Sequence, residues 1–478
     1  MRIPLSVFAI ATFGICLRLL IAPSYGYQGL DSDLIEHKQA VHTTLTRGIH
    51  QIYLPSWRND PALSGADWDG GYFTNIPPLI HYLRAATGAL YRWLDPRGFE
   101  MWGEDLNYMV LEKTDLHRRL ANSRGFTVSL KLPGILADFG IALGLYVFLL
   151  ARAGPRTALA ACAAYSMNPG IIFDTAFWGQ HDALAAGLVA LALALILRGH
   201  LEAGFVACAL AILSKPQAGA FALLILALGL SRFPLRRVVV ASLAAAGATT
   251  LVFLPFLMHG TFGLSVVALF RSTVGGEPFL SCNANNLWWL VTGGNGYAHR
   301  DDVPLPGGVT ARSLGLLALL ASNALVIWRL RGAQDRDGSR TFLGASVIGM
   351  SFFMFATELH ENHMMAVLPL LAFALPADRR LFGVFAVLSV TFLLNMALFD
   401  NAVTNPLAAW LGAPVPVRDL SMLVAAVNMA TWIALWAIYL RHREREVSSP
   451  SAVLVQRGEG RRHWRGPLGG EPPPEPGP

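Results

Sequence analysis

TVSLKLPGILADFGIALGLYVFLLA, residues 127–151, is a nearly unbroken apolar run, longer than the roughly 20 residues a helix needs to cross a hydrocarbon core. What surrounds it repeats the pattern. Further apolar runs occupy residues 157–177, 183–198, 201–214, 216–231 and 237–258, and after a polar interval the series resumes at 312–330, 341–357, 364–376, 379–398 and 418–440. Upstream, residues 3–22 form another, with Arg2 and Arg18 beside its core and no small-residue cleavage site, so it reads as a retained span and not a removed signal peptide. The total is about twelve. The shorter runs fall below about 17 residues, which in a polytopic protein marks broken or re-entrant helices lining a cavity. The expected fold class is an all-α polytopic membrane protein.

Composition agrees with that reading. The 478 residues are 54% hydrophobic and 14% charged, with a mean hydropathy of +0.46, which excludes a soluble domain with a polar surface. A formal net charge of +6 is compatible with nucleic-acid binding, but its placement points elsewhere. Arg152 and Arg156, Arg198, Arg232 with Arg236 and Arg237, Arg329 with Arg331 and Arg336, Arg379 with Arg380, and Arg441 with Arg443 and Arg445 fall in alternate short connections. By the positive-inside rule those connections are cytoplasmic. Both termini then lie inside, and two long polar loops, about 23–126 and about 259–311, lie outside. The organisation expected is a transmembrane domain over 1–440 followed by a basic, Pro/Gly-rich cytoplasmic tail, 441–478, without stable structure. Cys16, Cys162 and Cys208 fall in spans and Cys282 stands alone outside, so no disulfide framework is implied.

Ionisable side chains in or beside a span cost about 2.5–3.5 kcal/mol at the helix centre, and those retained need a reason. The conspicuous ones collect at the outer ends. Asp31 and Asp33 follow the first span in GLDSDLIEHKQAV; a carboxylate there can accept a hydroxyl proton, or Asp33 with Glu36 can form a capping box. Trp178, Gln180, His181 and Asp182 share one tight connection, where the indole can anchor at the interface and the acid can cap the next helix. Lys215 and Gln217 sit at a proline break, SKPQA, and a lysine ammonium there either faces a buried anion or snorkels to headgroups. TELHENHMM holds His360, Glu361 and His363; two histidines three apart can share a helix face and bind metal, though the spacing is not that of H-E-x-x-H. The second outer loop carries Arg271, Asn283 and Asn286 beside paired tryptophans, residue types suited to sugar hydroxyls and sugar CH faces. In the first loop, Pro77 and Pro78 before LIHYL predict the start of a helix lying on the membrane.

Taken in order, GLDSD, GIHQIY with NIPPLIHYL, KLPGILAD, NP followed by WGQHD, SKPQ, NANNLWW and the late HEN resemble the GT-C superfamily of polyprenyl-phosphate-sugar-dependent glycosyltransferases, and within it the bacterial and archaeal relatives of dolichyl-phosphate glucosyl- and mannosyltransferases. The resemblance covers about residues 1–400. It implies a GT-C-like helical bundle with interfacial helices in the first outer loop over the active site. It also implies that Asp33, or its competitor Asp31, is the catalytic base, and that Trp178, Gln180, His181, Asp182, Lys215, Gln217, Arg271, Asn283, Asn286, His360, Glu361 and His363 line the substrate site. The activity implied is transfer of a hexose, mannose or glucose favoured, from a polyprenyl-phosphate donor to a lipid-linked or envelope glycan acceptor. It takes place at the non-cytoplasmic face of the plasma membrane, among membrane lipid, with no nucleic-acid partner. No cofactor is required, and a divalent metal is compatible. The chain departs from the family where Arg and Tyr are expected after His360 and Glu361, since Asn362 and His363 stand there. The grip on the donor phosphate then passes to Lys215 or Arg271. A transporter or lipid-carrier flippase also fits about twelve spans with breaks, and an intramembrane metalloprotease would use His360, Glu361 and His363.

Overall fold

The computed structural model describes residues 5–25, 33–54, 74, 76–103, 113–273, 275–331, 335 and 338–442. Asp31 and the tail from 443 onward lie outside the described residues. In chain order the helices are α1 (Leu5–Ile21), α2 (Asp33–Thr46), α3 (Pro78–Leu94), α4 (Pro96–Glu100), α5 (Lys113–Asn122), α6 (Arg124–Ser166), α7 (Pro169–Ile172), α8 (Asp182–Leu197), α9 (Leu201–Ser214), α10 (Ala222–Arg232), α11 (Leu235–Met258), α12 (Phe262–Thr273), α13 (Leu287–Val291), α14 (Ala311–Leu330), α15 (Ser339–Phe355), α16 (Val367–Ala374), α17 (Arg380–Ala397), α18 (Asn401–Leu411) and α19 (Val417–Arg441). Among the described residues β-pairing is limited to two isolated bridges, Phe279 with Arg300 and Pro304 with Thr310. The chain is an all-α, multi-pass membrane protein: α6, α11, α14, α17 and α19 are each long and apolar enough to cross a bilayer. Leu243 and Leu251 on α11 and Leu316 and Leu317 on α14 are exposed, as side chains facing lipid are.

Every apolar run read from the sequence contains helix. The runs at 127–151 and 157–177 are separated within α6 where the sequence places their connection, because Gly154 (φ 81°, ψ 169°) leaves the helical conformation, a geometry open to glycine, with Pro155 removing a ladder donor just beyond it. After Ser166 the second run is completed in pieces. The Asn168 side chain caps α7 by accepting from Gly170 N and Ile171 N at 3.0 and 3.2 Å, Pro169 takes the first helical position, and a π-helical turn, Phe173–Trp178, carries the chain to the next connection. Such turns concentrate at functional sites.

Arg18, read from the sequence as flanking the first span, is instead inside the bundle. Its Nε donates to Asp138 at 2.8 Å and both side chains are almost fully buried. Asp138 also accepts from the Tyr165 and Thr175 hydroxyls at 2.7 and 2.8 Å, and Arg18 donates to the Ser166 carbonyl at 2.8 Å. A charge is retained at this depth because it is paired and hydrogen-bonded on several sides, and the result fastens α1 to α6 and to the π-helical turn.

Between α1 and α6 the first long loop packs with the start of α6 around an apolar core of Leu34, Ile35, Val41, Tyr91, Phe99, Trp102 and Phe126. The helix expected after Pro77 and Pro78 is α3, with Pro77 as its N-cap. Lys38 Nζ donates to Ser123 Oγ at 2.9 Å and lies 4.5 Å from the Trp102 ring centroid, tying α2 to the start of α6. Asp33 heads α2, so this loop core sets where its carboxylate stands.

Candidate active site

The connection from Gly179 to Asp182 is pressed onto α6 by two close approaches. Lys131 reaches from α6 to the carbonyls of Ala176 and Phe177 at 2.8 and 2.7 Å, satisfying acceptors freed at the end of the π-helical turn. Gly179 (φ 81°) lies against that lysine stem, and a Cβ on Gly134 of α6 would come within 2.8 Å of the Gln180 carbonyl. Held this way, Gln180 Nε2 donates to Asp33 Oδ2 at 2.9 Å. Asp33 stays partly exposed, and as the first residue of α2 its negative charge is favoured by the helix dipole.

Beside Asp33 lies a guanidinium that the sequence reading passed over. Arg84 on α3 is fully buried, donates from Nη2 to the Gly179 carbonyl at 3.4 Å, and leaves Nε and Nη1 without a partner among the described residues. Burial pulls its pKa down to about 9, with Asp33 opposing. Guanidinium nonetheless keeps its proton, so the cost stays in the fold as an unsatisfied buried cation. Around it, burial first and the Arg84 charge second hold His37 and His81 well below the ordinary imidazole range, His81 to about 3. His181 is depressed in the same order of causes, with only a Ser214 backbone interaction opposing. All three rings are therefore neutral.

On the other side of the Gly179–Asp182 connection, Asp182 opens α8 and Lys215 follows the last residue of α9. Each charge sits at the helix end whose dipole favours it, and Lys215 Nζ meets Asp182 Oδ1 at 2.6 Å with side chains 12% and 7% exposed. Asn362 Nδ2 donates to the second carboxylate oxygen at 3.0 Å. The backbone N–H of His360 donates to His363 Nδ1 at 3.1 Å, so in the neutral ring Nε2 carries the proton. Burial, then Lys215 and His360, keep that ring neutral. Nε2 stands 3.3 Å from the Gln217 amide, whose oxygen is otherwise unpartnered. Turning the amide so that Oε1 accepts from Nε2–H satisfies both groups.

The segment 358–363 closes the site. Asn283 (φ 64°) donates to Glu361 Oε1 at 2.9 Å, and Asn395 donates to the Glu361 carbonyl. His360 Nε2 lies 3.2 Å from Glu277 Oε2, and its Nδ1 lies 3.8 Å from Glu361 Oε2. Burial lowers the pKa of His360, but the hydrogen bond and charge of Glu277, then Glu361 and Asp33, outweigh it and raise the value to about 9. Burial raises Glu361, against His360 and Asn283 and with help from Asp33. Asp33, Glu277, Glu361 and His360 thus share one electrostatic neighbourhood. His360 and His363 do not lie on one helix face: residues 361–366 are a turn, with the two rings at 83° and 5.5 Å between centroids.

Asp33, Gln180, His181, Asp182, Lys215, Gln217, Asn283, His360, Glu361 and His363 are drawn into these linked clusters. Three of the other residues named from the sequence serve elsewhere. Trp178 is buried and its indole N–H donates to Asp400 at 2.7 Å. Asn286 is the buried N-cap of α13, accepting from Trp289 N at 3.1 Å. Arg271 is exposed on the last turn of α12. The residues missed are Arg84, His37, His81 and Asn362. The signal for Arg84 was a lone arginine in the apolar stretch LIHYLRAATGAL.

A narrow cleft opens beside the Asp182–Lys215 pair. Asp182, Lys215, Gln217 and His363 line its polar part, and Ala185, Ala186, Val189, Ala218, Phe221 and Phe352 its apolar walls.

No protein-family model and no curated protein matches the chain. Among solved structures, the backbone is similar to ArnT from Cupriavidus metallidurans bound to undecaprenyl phosphate, with a TM-score of 0.44 at 13% identity over 91% of this chain and 76% of that one. It is also similar to the Archaeoglobus fulgidus oligosaccharyltransferase in its apo form, with a TM-score of 0.41 at 12% identity over 91% of this chain and 56% of that one.

Proposed function

We propose that the chain is a GT-C-type membrane glycosyltransferase. It moves a hexose, mannose or glucose favoured, from a polyprenyl-phosphate donor to a lipid-linked or envelope glycan acceptor at the outer face of the plasma membrane, with Asp33 as general base. The observation that carries this reading is a partly exposed carboxylate, held from one side by Gln180, next to buried cations and to a cleft with a polar head and apolar walls. A lipid phosphate has that same division. The face follows from the arginines: Arg198 lies at the opposite end of α8 and α9 from Asp182 and Lys215, and the positive-inside rule puts that end in the cytoplasm.

Gln180 occupies one carboxylate oxygen of Asp33 and leaves the other for the acceptor hydroxyl. As that oxygen attacks the anomeric carbon, its proton passes to Asp33, the bond from the anomeric carbon to the phosphate oxygen breaks, and the electron pair leaves with the phosphate. Direct displacement inverts the anomeric centre. A phosphate leaves without protonation, so the protein's remaining task is to stabilise the growing negative charge. Lys215, exchanging Asp182 for phosphate, and Arg84, with two unpartnered nitrogens, supply it, while the neutral rings of His37, His81 and His181 add no competing cation. Arg271, exposed on α12, is the weaker candidate.

The test is reconstitution of the purified protein in liposomes with short-chain polyprenyl-phosphate mannose or glucose and a glycolipid extract. Mass spectrometry is expected to find an acceptor heavier by one hexose residue and a stoichiometric gain of free polyprenyl phosphate. Donor that crosses the bilayer unconsumed would refute transfer and favour a flippase.

A further inference from the structure

We propose that Glu277, Cys282 and His360 form a binding site for one soft divalent cation, of the zinc class, that clips the second outer loop to the segment 358–363. A carboxylate oxygen of Glu277, Sγ of Cys282 and a ring nitrogen of His360 all lie within 4.8 Å of one another, with the Glu277 and His360 atoms already 3.2 Å apart. Zinc holds oxygen and nitrogen at about 2.0–2.2 Å and thiolate sulfur at about 2.3 Å, so tetrahedral ligands stand roughly 3.3–3.8 Å from each other. Side-chain adjustments of about 1 Å close the present triangle onto an ion.

The backbone beneath the triangle is already fixed. Cys282 N donates to the Leu359 carbonyl at 2.9 Å and Glu358 N to the Phe279 carbonyl at 3.0 Å, so the two ligand-bearing strips are paired whether or not an ion is present. The Cys282 thiol is fully buried and disulfide-free. Charge gives a separate reason. The Glu277 and Glu361 carboxylates lie 3.2 and 3.8 Å from the single imidazole of His360, two carboxylates to one ring, an excess of negative charge that a dication balances. A donor set of one thiolate, one imidazole and one carboxylate selects zinc over magnesium or calcium, which take oxygen ligands. Three protein ligands leave a fourth position open. The pair His360 and His363 is not this site, since His363 Nδ1 is occupied by the His360 backbone N–H. When the ion binds, two protons leave to solvent, one from the Cys282 thiol and one from the His360 imidazolium, whose ring nitrogen must be free to ligate.

This inference does not rest on the sugar-transfer reading, and its test needs no activity. The full-length protein in detergent, stripped with a chelator and titrated with Co²⁺, is expected to bind one equivalent and develop a thiolate-to-cobalt charge-transfer absorption. Cys282→Ser is expected to abolish that absorption and Cys16→Ser to retain it. Glu277→Gln and His360→Ala are each expected to weaken Zn²⁺ binding at least tenfold, with helix content and elution volume unchanged. If a variant does not fold, X-ray absorption at the zinc edge of the wild-type protein decides, by showing one sulfur neighbour at about 2.3 Å. Failure to bind a stoichiometric ion, a sulfur-free shell, or an absorption that survives Cys282→Ser would overturn the proposal.

Discussion

Lys215→Met isolates the ion pair at the centre of the site. The two side chains meet at 2.6 Å and are 12% and 7% exposed, so the substitution leaves the Asp182 carboxylate buried with Asn362 as its remaining donor at 3.0 Å. Removing one partner of a buried pair costs about 3–5 kcal/mol, because the other charge stays uncompensated, whereas an exposed pair is worth about 0–1 kcal/mol. Asp182→Asn alone strands the ammonium and is expected to cost a similar amount. The double variant removes both charges and is expected to recover to within about 1 kcal/mol of wild type, a coupling of several kcal/mol, where independent sites add to within about 0.5 kcal/mol. Urea unfolding of the four proteins in one detergent measures the cycle. The same proteins assayed for transfer separate folding from function: the double variant is expected to be stable and inactive, because Lys215 is also the cation offered to phosphate. Additive stabilities, or a double variant that transfers sugar at the wild-type rate, would refute the reasoning.

Arg84→Met removes a buried cation whose Nε and Nη1 lack partners and is expected to leave stability unchanged or raise it by about 1–3 kcal/mol, while weakening donor binding at least tenfold in a lipid-phosphate titration. Gly134→Ala drives a methyl to 2.8 Å from the Gln180 carbonyl and is expected to cost about 1–3 kcal/mol and to lower turnover by displacing Gln180 from Asp33. Burial followed by the Arg84 charge depresses His81 from 6.5 to about 3, so between those values the unfolded chain binds the extra proton and stability rises with pH. Melting temperature is therefore expected to fall as pH drops from 6.5 toward 3, with a shallower fall in His81→Gln.

Much of the helical framework is legible in the sequence, since apolar runs of spanning length leave few alternatives in lipid. What escapes is structure that does not follow hydropathy. Helix α18 has no buried residue. It starts because Asp400 accepts from Ala402 N at 2.7 Å, and Asp400 is held in turn by the Trp178 indole, a pairing across more than two hundred positions that no local pattern announces. Helix α12 lies within what reads as a polar loop.

The site divides along the same line. Asp182 and Lys215 are conspicuous because each charge abuts a long apolar helix, and the ends of α8 and α9 bring them together. Arg84, His37 and His81 sit on α2 and α3, where interfacial sequence makes charged residues look ordinary. The sequence marks which side chains are costly to bury, but which of them face one another depends on packing: Trp178, equally conspicuous, faces Asp400 and away from the clusters.

The account turns on Asp33 as the proton acceptor. The most direct measurement is the initial rate of hexose transfer by purified Asp33→Asn, with donor binding measured in parallel on the same preparation. The asparagine keeps the size of the side chain and a partner for Gln180 but not the basicity, so turnover is expected to fall by about 10²- to 10⁴-fold with donor affinity preserved. Transfer at the wild-type rate by a folded, donor-binding Asp33→Asn protein would contradict it.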